Sequence, residues 1–432
     1  MKSKGEIHRM KALFEFIEKC KSAYHTVDAV KSILSGAGFT ELTEGDYDKY
    51  SDGGKHFVIR NDSSIIAFSG RLSDAGFIIT ASHSDFPTFR VKSSEKTADG
   101  YTRLRVEGYG GMINYTWLDR PLSIAGRAVV SEDGRLKVRL FDIDRDLVTI
   151  PSVAIHFNRG VNDSAKFNHA TDMLPLYAIG DSGNIKSEIA STLSVDEESV
   201  VSYEAFLYNR MKPTSILRDG ALVLSPRLDD LASVYAATEA IVKSQCEKGV
   251  SVLSVFDNEE VGSSTSGGAA SDFLYDTLLH IAGDKKTYRR AIRESLIVSC
   301  DNSHARHPNH PEMSDSVAYP LLGGGVAIKY NSNRRYATDA ISAAIFKTAA
   351  ARIGEPLQEF FNRADMPGGS TLGSIATTRV PALCIDIGVP QLAMHSSTEC
   401  CAVADIMSLE KILVELYSSY IVKGKNEFEL KK

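Results

Sequence analysis

At 432 residues the chain is too long for one simple core, and the usual ~100–200 residues per domain predicts two domains. Its 43% hydrophobic and 24% charged content is that of an ordinary globular protein, and a formal net charge of -6 leaves no basic footprint for nucleic acid. No window approaches the ~20 apolar residues of a membrane-spanning helix, and the polar N-terminus lacks the apolar core of a signal peptide.

The six cysteines are scattered, with neither a disulfide framework nor a CxxC zinc pair, so the expected compartment is the reducing cytoplasm. Apolar residues at helical spacing predict helices over residues 10–21 and 23–37, with Gly36 and Gly38 as stop signals and His25 as a structural histidine between them. Residues 57–59 and 64–68 predict paired strands around Asn61 and Asp62. Residues 76–82, GFIITAS, form a β-branched strand that runs into His83-Ser84-Asp85, which taken alone is a capped turn. From 89 to 224 short alternating segments dominate, with Glu132-Asp133-Gly134 as a hairpin signal, and predict an all-β module. Strand–helix alternation then returns. Helices are expected over 231–243, 271–281, 288–294, 338–353, 370–376 and 407–421, and strands over 250–256, 295–299, 357–361 and 382–387. The charged tail, 423–432, reads as frayed. The expected fold is α/β: a doubly wound, mostly parallel sheet built from residues 1–88 and 225–432, with a β-rich module, 89–224, inserted.

The stretch 252–266, VLSVFDNEEVGSSTS, reads as a buried parallel strand that turns abruptly acidic. Ligands gather at the carboxyl ends of such strands. Two adjacent glutamates there can divide the work, one holding a metal and the other serving as a general base, although an isolated pair is more simply a solvated turn. Its neighbours argue for the first reading. His83 follows GFIITAS, Asp229 lies in SPRLDDL, Glu260 in FDNEE, Asp301 follows LIVSC, and His395 lies in PQLAMHSS. Each residue type binds zinc or a similar divalent ion. Two histidines and three carboxylates suit a two-metal site, in which one bridging carboxylate leaves each ion about three protein ligands, with the ions roughly 3.5–4 Å apart. Asp85 is placed to accept the second ring N–H of His83. Glu259, next to a ligand but not needed as one, is left for the base. Lys329 alone reads as a solvated strand end, Tyr336 and Trp117 as packing, and His307 and His310 as loop residues. The serine-rich turn 262–268 lacks the GK[ST] of a phosphate cradle.

FDNEEVGSSTS, SHSDFPTFRVK, the YGG…WLDRPLSIAGR of 109–127, SPRLDDL, HPN at 307–309, RYATD at 335–339, GGSTLG at 368–373 and PQLAMHS together resemble the aspartyl aminopeptidase (M18) family of metalloaminopeptidases, from His25 to about Glu399. The resemblance implies that Asp229 bridges two zinc ions (cobalt or manganese being alternatives). His83 and Asp301 would complete one ion's ligands, Glu260 and His395 the other's. Glu259 would be the general acid/base. His304, Lys329 and Tyr336 match substrate-contacting positions, and His156 matches a histidine presented to a neighbouring subunit. It further implies peptide substrates, a catalytic α/β domain with an inserted dimerisation domain, and homododecamers. The chain departs from the family pattern after HPN, where HPEMSDSVAYP is short and not Lys/His-rich. It departs also in MHSSTE, which lacks an arginine, and in RLDDL, which stands for RLDNL; none of these is expected to touch a proposed ligand. Three readings follow: a dinuclear zinc aminopeptidase with acidic preference, in which Lys329 pairs with the acidic side chain; the same site acting on neutral (Leu-type) peptides or non-peptide amides; and a scaffold with a degenerate site, against which all six site residues stand.

Overall fold

The chain opens with α1 (Lys4–Lys19) and α2 (Ala23–Gly36), because Leu13, Phe16 and Ile17, then Val27, Val30 and Leu34, recur on one face and bury there. The computed structural model describes residues 4–50, 53–73, 75–180 and 183–432; the first residues of the polar N-terminal stretch, 1–3, lie outside these. Strands β1 (Thr40–Leu42), β2 (Lys55–Arg60), β3 (Ser64–Gly70) and β4 (Phe77–His83) follow. β2 and β3 pair antiparallel around Asn61 and Asp62, whose φ of 55° and 57° these two residue types tolerate.

The next segment holds β5 (Thr88–Lys96), β6 (Tyr101–Tyr109), β7 (Leu122–Glu132), β8 (Arg135–Asp142), β9 (Leu176–Ile179), helix α3 (Ile185–Leu193) and β10 (Val200–Asn209). Its strands form an antiparallel sheet in the order β8-β7-β10-β5-β6-β9. The helix corrects the all-β expectation. Asn184 caps α3 through a capping box, and Ile185, Ile189 and Leu193 pack with Phe89, Trp117 and Ile124 in a core of the module's own.

The rest comprises β11 (Thr214–Ile216), β12 (Leu222–Ser225), α4 (Leu228–Lys243), β13 (Val250–Phe256), α5 (Phe273–Ala282), α6 (Lys285–Ala291), β14 (Leu296–Cys300), β15 (Ser303–His304), β16 (Val326–Tyr330), α7 (Ala340–Ile353), β17 (Leu357–Phe361), α8 (Leu372–Ala376), β18 (Leu383–Gly388), β19 (Pro390–Leu392), β20 (Glu399–Ala402), α9 (Val403–Tyr417), β21 (Tyr420–Lys423) and β22 (Phe428–Lys431). β11 and β12 lie inside the expected module but join β20, β19 and β15 in a separate five-stranded sheet. The boundary expected at 224 therefore cuts through a sheet. The tail is corrected too: β22 folds back antiparallel onto β21, and Leu430 is buried beneath it.

The large sheet has the order β1-β2-β3-β13-β4-β14-β18-β16-β17. It is mixed. The central run β13-β4-β14-β18 is parallel, and the direction reverses at β3 and β16. Helices cover both faces. Leu253 and Val255 of β13 pack with α1, α2, α4, α7 and α9, whereas Val250, Val252 and Phe256 face α5 and α6. Each such side chain contributes about 1.5–3 kcal/mol on burial, so the register of the central strands is strongly specified. That register matters: Phe256 stands beside His83, and β14 ends one residue before Asp301, so three of the acidic or histidine turns emerge together.

Candidate active site

A cavity of about 340 Å³ opens over the carboxyl ends of β13, β4 and β14, and His83, Asp229, Glu259, Glu260, Asp301 and His395 all line it. Three overlapping trios have ligand atoms within 4.8 Å of one another: His83–Asp229–Asp301, Asp229–Glu260–His395 and His83–Glu259–Glu260. Nε2 of His83 lies 3.5 Å from Asp229 Oδ1 and 4.0 Å from Asp301 Oδ1. Nε2 of His395 lies 3.6 Å from Asp229 Oδ2 and 3.5 Å from Glu260 Oε1. The two oxygens of Asp229 thus serve two different trios. Zinc bonds of ~2.0–2.2 Å in a tetrahedral arrangement set neighbouring donors about 3.3–3.6 Å apart, so these spacings fit ions between them. Asp229 Oδ1 is also buried and accepts no hydrogen bond, a costly condition unless something else satisfies it.

Each side chain has a local reason for its position. His83 ends β4, and its Nδ1 donates to the carbonyl O of Asp85 at 2.9 Å. A carbonyl only accepts, so the proton sits on Nδ1 and the Nε2 lone pair faces the cavity. His395 repeats the device, with Nδ1 donating to Gly111 O at 2.6 Å. Three turns run through left-handed residues: Arg227 before Asp229, Asn258 before Glu259, and His395 itself, with φ of 61°, 61° and 64°. Such conformations cluster at functional sites. The Asp229–Asp230 peptide is cis.

Asp85 needs a correction. Its main-chain carbonyl, not its carboxylate, takes the close ring bond of His83. The carboxylate instead accepts the backbone N–H of Glu259 at 3.1 Å and of Glu260 at 3.2 Å, and the hydroxyl of Tyr109 at 2.7 Å. Asp85 therefore holds the acidic turn. Asp230, the departure in RLDDL, is not remote either: its Oδ2 accepts the backbone N–H of His83.

The charges are densely packed. Burial, then the carboxylates of Asp301, Asp85 and Asp229, raise Glu259 from its ordinary 4.5 to about 8. Burial and Asp229 push Glu260 well above the usual range. Burial likewise raises Asp301, against the pull of Lys329. For Asp229 burial is opposed by the His83 ring 3.5 Å away, which prevails and lowers it. Burial disfavours a charged His83, yet Asp229 and Asp85 outweigh it and raise its pKa well above 6.5. Such an excess of buried carboxylate calls for cations.

Lys329 is not a solvated strand end. It is fully buried, and its Nζ donates to the carbonyls of Asp301 at 2.9 Å and Asn302 at 3.3 Å, 3.5 Å from Asp301 Oδ2 and 5.2 Å from the centre of the Tyr336 ring. His304 is exposed on the wall of the cavity, where desolvation and then Lys329 lower its pKa. Lys329, Tyr336 and His304 all line the cavity, and His156 does not; it lies on an exposed turn of the module. Sequence reasoning missed Glu399, whose carboxylate accepts the backbone N–H of Asp229 at 3.0 Å and of His395 at 2.7 Å and so ties two candidate ligands together. Its place four residues after His395, in MHSSTE, was the available signal.

The chain is similar to known proteins of one family over nearly its whole length. Residues 16–417 match the family model described as Aminopeptidase I zinc metalloprotease (M18). A probable M18 family aminopeptidase 2 of Clostridium acetobutylicum is 39% identical over 431 residues, covering 96% of this chain and 100% of that protein. A chain from the cryo-EM structure of the Ape4 and Nbr1 complex superposes with a TM-score of 0.92 at 33% identity, over 96% of this chain and 86% of that one. The S. cerevesiae mApe1 dodecamer gives 0.83 at 26% identity, over 94% and 96%.

Proposed function

We propose, from the premise that this chain belongs to the Aminopeptidase I zinc metalloprotease (M18) family, that it removes N-terminal residues from peptides at a two-ion centre bridged by Asp229. The family makes it a hydrolase of peptide bonds acting as an exopeptidase, with zinc as its metal. The observation that carries the two-ion reading is that the two oxygens of one carboxylate, Asp229, belong to two separate trios.

In this reading His83 and Asp301 hold one ion and Glu260 and His395 the other. When bound, the ions polarise the scissile carbonyl and acidify a water. Glu259 takes the proton of the attacking water and returns it to the leaving amine. The peptide enters over His304 and Tyr336. Free cysteines throughout are compatible with a cytoplasmic setting, and no helix of the described residues is long and apolar enough to cross a membrane. The similarity to a dodecameric relative supports self-association, which this reading assigns to the β module, with the exposed His156 offered to a neighbouring subunit.

Preference for an acidic N-terminal residue rests on Lys329 as the cation of the pocket. A second reading, a neutral preference, is favoured by a specific observation: the Lys329 ammonium is already committed to the carbonyls of Asp301 and Asn302. Assays on Asp-, Glu- and Leu-anilides separate the two. The central reading is tested by Glu259→Gln. Peptidase activity should fall by about 10²–10⁴-fold while two equivalents of metal remain bound; an active Gln variant would remove Glu259 from its role.

A further inference from the structure

The two proposed metal positions are not supported by the same part of the molecule. His83 and Asp301 take their hydrogen bonds from the large sheet and its turns. His83 bonds to the Asp85 carbonyl and to Asp230, and the Asp301 main chain bonds to Ile387 and Lys329. The other position is held across the border with the β module. His395 sits on a loop in a left-handed conformation, its side chain 32% exposed. Its ring bonds to the Gly111 carbonyl, and its own carbonyl accepts Ile113 N–H at 3.0 Å. Two residues on, Ser397 N–H donates to Thr116 Oγ1 at 2.9 Å. Glu260 is pinned from the same strand end. Tyr109 Oη donates to the Asp85 carboxylate that holds the Glu260 N–H, and accepts from Asn258 Nδ2 at 2.9 Å. Gly110, at φ +74°, passes so close that a Cβ there would stand 3.1 Å from Glu260 Cβ and 3.3 Å from its Oε2. These supports run from Tyr109, the last residue of β6, into the connection that leads to β7.

We infer that segment 110–116 of the β module is a positioning element for the Glu260–His395 metal position, so that the affinity of that ion depends on how the module is seated, while neither His83 nor Asp301 is bonded to this segment. The inference rests on the two-ion reading above. Its physical basis is that hydrogen-bond partners behind a metal ligand set ring orientation and basicity, and their loss costs about 10–100-fold in metal affinity. The Gly111 carbonyl does this for His395, whereas Tyr109 acts through Asp85, which supports both the acidic turn and the His83 ring. Two consequences are specific. Perturbing the stretch should weaken one ion and spare the other. The resulting loss of activity should be restored by excess metal, which a general folding defect would not be.

The test is zinc titration of the full-length protein against a competing chelator, on wild type, Gly110→Ala and Thr116→Val. Wild type should show two equivalents. Gly110→Ala should hold the first as wild type does and bind the second about 10–100-fold more weakly, with kcat recovered and KM unchanged on adding zinc. Thr116→Val keeps the backbone unstrained, removes the bond from Ser397 N–H and should shift the second ion in the same direction, so a folding failure of the alanine variant does not decide the matter. Two equivalents bound as tightly in both variants as in wild type, or both ions weakened alike, would overturn the inference. A wild type with a single equivalent would overturn the two-ion reading itself, and is seen before any variant is compared.

Discussion

The His83–Asp301 corner of the site and the Glu260–His395 corner use the same ligand chemistry on opposite kinds of support. In the first corner both residues follow central strands of a nine-stranded sheet, and their side chains are 1% and 12% exposed. Their direction is a by-product of strand register, which the apolar core on either face already specifies. In the second corner Glu260 lies on a turn and His395 on a hairpin loop, where no ladder aims the side chain. Direction must come from outside, and it comes from Asp85, Glu399 and the 110–116 stretch. A ligand at a strand end needs few partners of its own, whereas a ligand on a loop needs a second structural unit to hold it.

The largest expected effect removes what the corners share. Asp229→Asn keeps shape and volume but takes away the carboxylate common to both trios. Loss of several kcal/mol of Lewis-acid stabilisation, at about 1.4 kcal/mol per tenfold, predicts a fall in kcat of at least ~10³-fold. Metal analysis should find both equivalents depleted together. Retention of one full equivalent would show that the corners are separate sites and that Asp229 bridges nothing. Next in size is the contrast between His83→Ala and His395→Ala. Both should lose activity. His83→Ala also removes a hydrogen-bonded ring from a fully buried strand end, so it should cost about 1–3 kcal/mol of folding stability. His395→Ala, at a half-exposed position, should leave the unfolding midpoint of the metal-free protein within the range of an ordinary surface substitution. Equal destabilisation would erase the distinction drawn between the corners.

The same distinction explains what could be read from the sequence. GFIITAS, VLSVF and LIVSC each stop abruptly at a polar residue, so a buried strand and the residue at its carboxyl end are legible together; His83, the acidic pair and Asp301 were found that way. Loop partners carry no period. Nothing in YGG says that the Gly111 carbonyl reaches His395, and the spacing of Asp85 from His83 gave its reach but not which of its oxygens would be used. Glu399 is marked only by its place four residues after His395, and nothing there shows that it also accepts the N–H of Asp229, 170 residues away. Lys329 was misread because a charge in VAIKY suggests solvent, whereas burial among carbonyls and Asp301 satisfies it. Helix α3 spans one short run of nine residues inside strand-rich sequence, and the tail hairpin hides its buried Leu430 among lysines and glutamates. Asp230 shows the converse limit: a family pattern marks a departure without showing that the residue bonds to His83.

Removing the metal should act through the carboxylates that crowd both corners. Glu259 has its pKa raised by burial and by neighbouring acids, from 4.5 to about 8. A carboxyl that binds its proton more tightly when folded adds stability below its unfolded pKa and loses it as pH rises through the folded one. The unfolding temperature of the metal-stripped protein should therefore fall between about pH 4.5 and pH 8. Zinc should raise it most at the upper end of that window, because bound cations replace the protons. Thermal melts across the window, with and without zinc, measure this; parallel curves for the two forms would mean that the acidic cluster does not sense the metal.

The smallest expected effect tests the loop corner at its far end. Thr116 touches no candidate ligand. Its Oγ1 accepts the Ser397 N–H at 2.9 Å and donates to the Ile113 carbonyl at 2.6 Å, joining the hairpin that carries His395 to the module stretch that supports it. Thr116→Val is close to isosteric and deletes both bonds, worth about 1 kcal/mol between them once solvent exchange is counted. Part of that loss should appear as looser binding of the second ion, by a few-fold, because the loop that presents His395 gains freedom. The first ion should not change, since neither His83 nor Asp301 is bonded to this hairpin. A chelator titration resolves a shift of this size. If the first ion weakened instead, His83 and Asp301 would depend on the module after all, and the large sheet would not be the self-sufficient frame that its register implies.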